Sequence, residues 1–370
     1  MSQPSASTGE LERTAFLDPA GRWLVESGIQ EKNGGVARYY RADVQENLAV
    51  STEITGYALS TLTYLYSLTG NSLYLESAGQ AASFLTNDAW DPALQIFPFE
   101  CPEGAGERLA YFFDCGIIIR GLLSLWRIVG APDILDIAKQ CGRSMATSFA
   151  ASGVEFHPVL HLPDKRPFPR ANQWSRMPGC YQLKSALAWH DLYKETGEVD
   201  YLNWYEAMLA WSLRTHDSFL PGAEGDRVMD RLHAYSYFLE AILPRAGRPE
   251  VAAALTSGIK RVSHYLTEIG PRFARSDVHA QLLRVRLLAE LTGVTPVDRV
   301  KASAEAAALA SFQDNDHSDL RIRGGFYFGK RGDQLQPDIN PVSTGFALQA
   351  LNMWRQYLEG NLKFSTDALI

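Results

Sequence analysis

Residues 62–78, LTYLYSLTGNSLYLESA, form an apolar helical run that stops at Gly70 and restarts within a few residues as a run with an apolar stripe. A helix ends most readily on a residue in the left-handed region, which glycine enters without steric penalty. The same punctuation recurs in LLSLWRIVGAPDILDIA (122–138), HDLYKETGEVDYLNWY (190–205), LEAILPRAGRPEVAAAL (239–255), RLLAELTGVTPVDRVKA (286–302) and LNMWRQYLEG (351–360). It predicts left-handed helix ends at Gly70, Gly130, Gly197, Gly247, Gly293 and Gly360. Self-similarity of this kind decides an architecture before any single residue decides a function.

Outward from Gly70, the run before the glycine is apolar around most of its circumference, with Gly56 and Ala58 permitting close approach. The run after it carries one stripe: Leu73, Leu75, Ala78, Ala81, Ala82, Phe84 and Leu85. A helix apolar all round is enclosed on every side, and a striped one lies outside. Inner helices are therefore expected at 52–69, 114–129, 180–196, 231–245, 277–292 and 342–359, and outer ones at 12–29, 73–86, 132–149, 198–215, 248–268 and 296–312. The fold class predicted is all-α, an (α/α)6 barrel or toroid of six helical hairpins, forming a single domain over 12–370 behind a disordered tail at 1–11.

Inner-to-outer turns are short, whereas the outer-to-inner connections 30–51, 87–113, 150–179, 216–230 and 313–341 are long, and only 269–276 is short. Long connections in a compact domain carry function, and in this topology all open on one end of the barrel.

The inner helices start there as STEITGY, FFDCGII, GCYQLKS, RLHAYSY, SDVHAQL and NPVSTGF, each introducing polar or aromatic groups into an apolar series. Ser51 or Thr52, Asp114, Asp230, Asp277 and Asn340 would each serve as a helix N-cap. Six such starts around a ring also describe a lined pocket. Glu53 and Asp114 are the carboxylates expected to project inward, with Asp230 in reserve, and paired carboxylates in a partly apolar cleft are the equipment of glycoside hydrolysis. His233 and Tyr237, four residues apart on one helix face, with His279 in the analogous place of the next repeat, offer instead proton abstraction beside a carboxylate. Tyr57 and Tyr181 join the expected binding surface. So do three loop clusters in which arginines, suited to carboxylate or phosphate, alternate with aromatics, suited to sugar rings: Arg38, Tyr39 and Tyr40; Arg170, Trp174 and Arg176; Arg323 and Tyr327. An anionic, ring-containing ligand suits all three.

The net charge of −7 provides no basic field for nucleic acid. No apolar stretch reaches the roughly 18 residues that would cross a bilayer, and no signal-peptide pattern opens the chain, so neither partner is expected and the compartment expected is the cytoplasm. Cys101, Cys115, Cys141 and Cys180 lack CxxC spacing and are read as free thiols. His157 and His161 flank Pro158 with no HExxH spacing, so no metal or cofactor is expected. No feature of the sequence defines an oligomeric interface.

FDCGIIIRGL (113–122) resembles the FDxGxxxxGL unit of the six-hairpin (α/α)6 glycosidase-like superfamily, and EITGYALSTLTYLYSLTGNSLYLESA (53–78) resembles its ExTGY…TGDxxYLxxA form. The resemblance implies the toroid fold and carbohydrate work, by unsaturated-uronyl hydrolases, sugar 2-epimerases or, among wider relatives, polysaccharide lyases. The histidine and arginine set of the 2-epimerases, the DxDD run of terpene cyclases and the zinc set of prenyltransferases have no match here. The expectation is a glycoside hydrolase acting on a uronic-acid-containing or otherwise anionic saccharide. The alternatives are a lyase or epimerase using His233 and Tyr237, and a toroid that binds a saccharide or protein without catalysis.

Overall fold

The computed structural model describes residues 17–100, 107–170, 173–220 and 227–370. The tail at 1–11 and Cys101 lie outside them, as do the start of the first expected helix and parts of the loops around 101–106, 171–172 and 221–226.

Twelve α-helices occur among the described residues. The odd-numbered ones are outer: α1 (Leu17–Glu26), α3 (Ser72–Ser83), α5 (Pro132–Ser148), α7 (Val199–Thr215), α9 (Pro249–Ile269) and α11 (Arg299–Ala310). The even-numbered ones are inner: α2 (Thr52–Thr69), α4 (Phe112–Val129), α6 (Leu183–Thr196), α8 (Arg227–Ile242), α10 (Ser276–Leu291) and α12 (Pro341–Leu358). Each inner helix packs on the next, and α12 returns to α2, closing the ring. Close approach is possible because residues at the inner contacts are small. A Cβ on Gly121 would stand 2.5 Å from the Gly56 carbonyl oxygen, and one on Gly116 would stand 2.4 Å from that of Ser185.

Gly70, Gly130, Gly197, Gly293 and Gly360 have φ between 68° and 75° and stand at helix ends, as the sequence predicts. Gly247 does not: it is absent from the left-handed region, and α8 ends instead through the 3-10 turn Leu243–Arg245, where Pro244 cannot continue the ladder. Ser51 and Asn340 cap α2 and α12 with their side chains. Asp114 and Asp277 fall inside the first turns of α4 and α10, after Tyr111 and Arg275 as cap residues, so neither is an N-cap.

The outer-to-inner connections carry short strands that lace them together. These are β1 (Tyr40–Arg41), β2 (Glu46–Asn47), β3 (Arg108–Tyr111), β4 (Val159–Leu162), β5 (Phe273–Arg275), β6 (Gly329–Arg331), β7 (Gln334–Leu335) and β8 (Asp338–Ile339). The sheets run β2-β1-β8, β3-β4 and β5-β6-β7, all antiparallel, so the first loop is joined to the last with Tyr40 opposite Ile339.

The segment after α12 turns inward along the barrel axis. Asp367 pairs with Lys194, Gln349 donates to the Ala368 carbonyl at 2.7 Å, and Leu369 and Ile370 are buried. The Ile370 carbonyl accepts from Lys184 Nζ at 3.0 Å, and Lys184 also meets Glu240 at 2.9 Å. Glu240 pairs on its other oxygen with Arg284, whose guanidinium lies 4.0 Å from the Phe346 ring centre. This fully buried ionic group is the floor beneath the loop end.

Candidate active site

Three inner helices and the turn before a fourth deliver side chains to one cavity of about 440 Å³ at the loop end: Glu53 from α2, Asp114 from α4, Tyr181 and Gln182 from the turn before α6, and Asp230, His233 and Tyr237 from α8. Arg275, the last residue of β5, joins them. The remaining wall comes from Phe113 of α4 and from the connections, through Phe99, Tyr111, Pro158 and Trp174. Glu53 and Asp114 share the cavity because α2 and α4 are neighbours packed through Gly56 and Gly121 and both start at this end.

The two carboxyls lack the partners that buried acids normally find. Asp114 is 3% exposed, and its Oδ2 accepts no hydrogen bond. Burial, and then the charge of Glu53, hold the Asp114 carboxyl well above its ordinary value. Glu53 is pushed up to about 7 by burial, with Arg38 pulling it the other way. Both acids therefore resist ionisation, Asp114 the more so because the Glu53 charge adds to its burial.

The opposite wall is ordered by hydrogen bonds. His233 Nδ1 lies 2.9 Å from Gln281 Oε1 and 3.3 Å from Asp277 Oδ2. Both neighbours are acceptors, so Nδ1 carries the proton and Nε2 keeps its lone pair. Burial pushes His233 down to about 4, with Asp277 opposing. Its ring stands edge-on to Tyr237 at 4.4 Å, and Tyr237 lies 4.8 Å from Phe113. Arg275 bonds Asp277 through Nε (3.0 Å) and a terminal nitrogen (2.5 Å), bonds Asp230 Oδ1 at 2.6 Å, and lies 4.4 Å over Phe328. Burial raises Asp277, but Arg275 and His233 outweigh it and keep that carboxyl below its ordinary value.

Of the residues expected from sequence, Glu53, Asp114, Asp230, His233, Tyr237, Trp174 and Tyr181 line the cavity. Tyr57 lies below it, its hydroxyl buried without a hydrogen bond and its ring edge-on to Phe346 at 5.4 Å. The others are elsewhere. Arg38 pairs with Glu100 at the rim and stacks 4.8 Å over Phe99. Tyr39 is in the β1–β2 hairpin, its carbonyl bonded by Leu48, and Tyr40 is buried under Arg321. Arg170 pairs with Glu155, and Arg176 lies over Phe168. His279 turns away from His233 toward Phe312, with Lys330 nearby. Arg323 lines a separate groove with Asp18 and Arg22, and Tyr327 is buried in backbone pairing with Ile339. His161 pairs with Glu107, and no cluster able to hold a metal occurs among the described residues.

Arg275 and Gln281 were not singled out from sequence. Their signal is positional: Arg275 immediately precedes an inner helix, and Gln281 lies one turn beyond Asp277, on the face presented to α8.

No family model matches the sequence, and no curated protein matches it. Solved structures do. The cellobiose 2-epimerase of Spirochaeta thermophila DSM 6192 is 15% identical with a TM-score of 0.73, over 96% of this chain and all of its own. A sugar epimerase from a ruminal bacterium is 13% identical with a TM-score of 0.69, over 92% and 97% of the two chains. The unsaturated glucuronyl hydrolase of Bacillus sp. GL1 is 13% identical with a TM-score of 0.65, over 95% and 97%. The chain therefore has the (α/α)6 toroid fold. Identities this low leave its chemistry to the site.

Among the described residues, no helix is long and apolar enough to cross a membrane.

Proposed function

We propose that this protein hydrolyses a glycosidic bond, with Asp114 as general acid and Glu53 as general base. The observation that carries the reading is that Glu53 and Asp114 share one aromatic-walled cavity, where Asp114 Oδ2 is buried with no hydrogen-bond partner among the described residues. In outline, Asp114 gives its proton to the glycosidic oxygen as that bond breaks. Glu53 takes a proton from the water whose oxygen bonds to the anomeric carbon, so the leaving group departs as an alcohol and the other product as a hemiacetal with a new reducing end. A base is most effective with a value near the working pH, and Glu53, raised to about 7, meets that condition. The names of the three structural relatives, two sugar epimerases and a glucuronyl hydrolase, support a saccharide as ligand.

A second reading, epimerisation or elimination, is favoured by one observation: His233 is neutral, with Nδ1 held and Nε2 free to accept a proton. At about 4 it is a weak base for removing a proton from carbon, so hydrolysis ranks first.

The test is product release from a panel of neutral, amino and uronate oligosaccharides by wild type, Asp114→Asn, Glu53→Gln and His233→Gln. Hydrolysis predicts new reducing ends and a loss of about 100-fold or more in kcat for the two carboxyl variants with melting curves retained. Unchanged turnover in Asp114→Asn would remove it from the mechanism. Isomerised sugar without new reducing ends, abolished in His233→Gln, would transfer the function to the second reading.

A further inference from the structure

The charges facing the cavity are unbalanced. Glu53, Asp114 and Asp230 line it, and Arg275 is the one cation among the described residues that does so. That guanidinium is already engaged by two carboxylates, with both oxygens of Asp277 and Oδ1 of Asp230 bonded to it. Arg38, at the rim, is held by Glu100. Asp114 Oδ2 is buried, unpartnered and on the cavity wall. Asp230 is half-exposed at 52%, and among the described residues its Oδ2 takes no hydrogen bond. A ligand carboxylate would add another negative charge to a site whose only lining cation is spent, whereas an ammonium would supply the missing positive one. The wall includes the rings of Trp174, Tyr181 and Tyr237, and aromatic faces are surfaces on which sugar rings stack and to which cations are attracted.

We propose that the ligand of this cavity is a saccharide bearing an unsubstituted amino group, with the ammonium received by Asp230 Oδ2 at the mouth and the ring laid along the aromatic wall. The inference rests on the hydrolytic reading for the bond that reaches Glu53 and Asp114. It departs from the expectation of an anionic ligand, because the loop arginines that suggested one are paired, stacked or remote from the cavity.

The experiment compares glucosamine oligomers, their fully N-acetylated counterparts and glucuronate oligomers of equal length, by calorimetric binding and by reducing-end release. Glucosamine oligomers are expected to bind at least about fivefold more tightly than either of the others, the increment of a partly exposed ion pair. The advantage should shrink with added salt, and as the pH rises far enough to neutralise the amine. In Asp230→Asn the ratio of amino to N-acetylated binding should fall toward one, and Asp230→Glu should restore part of it. Equal binding of amino and N-acetylated oligomers, preference for glucuronate, or an unchanged ratio in a folded Asp230→Asn would each overturn the inference. If Asp230→Asn does not fold, the wild-type comparison and its salt and pH dependence decide it. Tight glucosamine binding with no cleavage would leave this inference standing and remove the hydrolytic one. Cleavage confined to glucuronate chains would do the reverse.

Discussion

An ionised Glu53 is costly to this fold, and the cost has a pH window. Its folded value of about 7 lies above the ordinary 4.5, so between those values the folded state holds a proton that the unfolded chain has released. Stability therefore falls as the pH rises through that window, and the full penalty, at most about 3 kcal/mol, applies above it. Glu53→Gln should raise the melting temperature over wild type at pH 8 and leave it nearly unchanged at pH 4; equal shifts at both would show that Glu53 is not strained by burial. Arg38 holds Glu53 down, so on the hydrolytic reading Arg38→Met should move the acid limb of the kcat/KM profile to higher pH. A limb that stays in place would separate Arg38 from the base. Glu53 and Asp114 were legible in the sequence because a first-turn position on an all-apolar helix leaves a side chain only one direction. The loop arginines were legible as charges and illegible as ligands, since a long side chain takes whichever carboxylate the tertiary fold offers: Glu100 for Arg38, Glu155 for Arg170.

At the scale of elements, glycine does two different jobs. Gly70 ends α2 in the left-handed region with open space around it, whereas Gly121 sits mid-helix against the backbone of α2. Gly70→Ala should cost about 1 kcal/mol through strained backbone alone. Gly121→Ala forces a methyl onto a carbonyl that cannot rotate aside and should cost about 2–3 kcal/mol, read as the larger fall in urea midpoint. The reverse order would mean that α2 and α4 separate without resistance. The helix ends were readable because a terminating glycine is a local event. Gly247 shows where this stops, since a proline three residues earlier had already ended α8. The strands lacing the loops left no such trace, being two to four residues long and set by pairing with distant partners.

For the whole molecule, the axis is the unexpected part. Lys184, Glu240 and Arg284 are fully buried, and Glu240 pairs with both cations, each of which also donates to an Ile370 oxygen. Glu240→Gln should therefore destabilise by about 3–5 kcal/mol, while the triple replacement Lys184→Met, Glu240→Gln, Arg284→Met should cost less than that single change. Chemical denaturation of the two variants decides the point, and a milder single variant would show that water reaches the axis. The Lys184 amine stands 5.9 Å from the Tyr237 ring centre, so the same group underpins the cavity.

The pairing of Tyr40 with Ile339 has a temporal side as well. On a ribosome, β1 emerges early and waits for a partner that is almost the whole chain away, so the mouth of the barrel is the last part to be finished. Until then the nascent protein carries an open edge strand and a cavity missing one side, the state in which it is most open to chaperones and to aggregation.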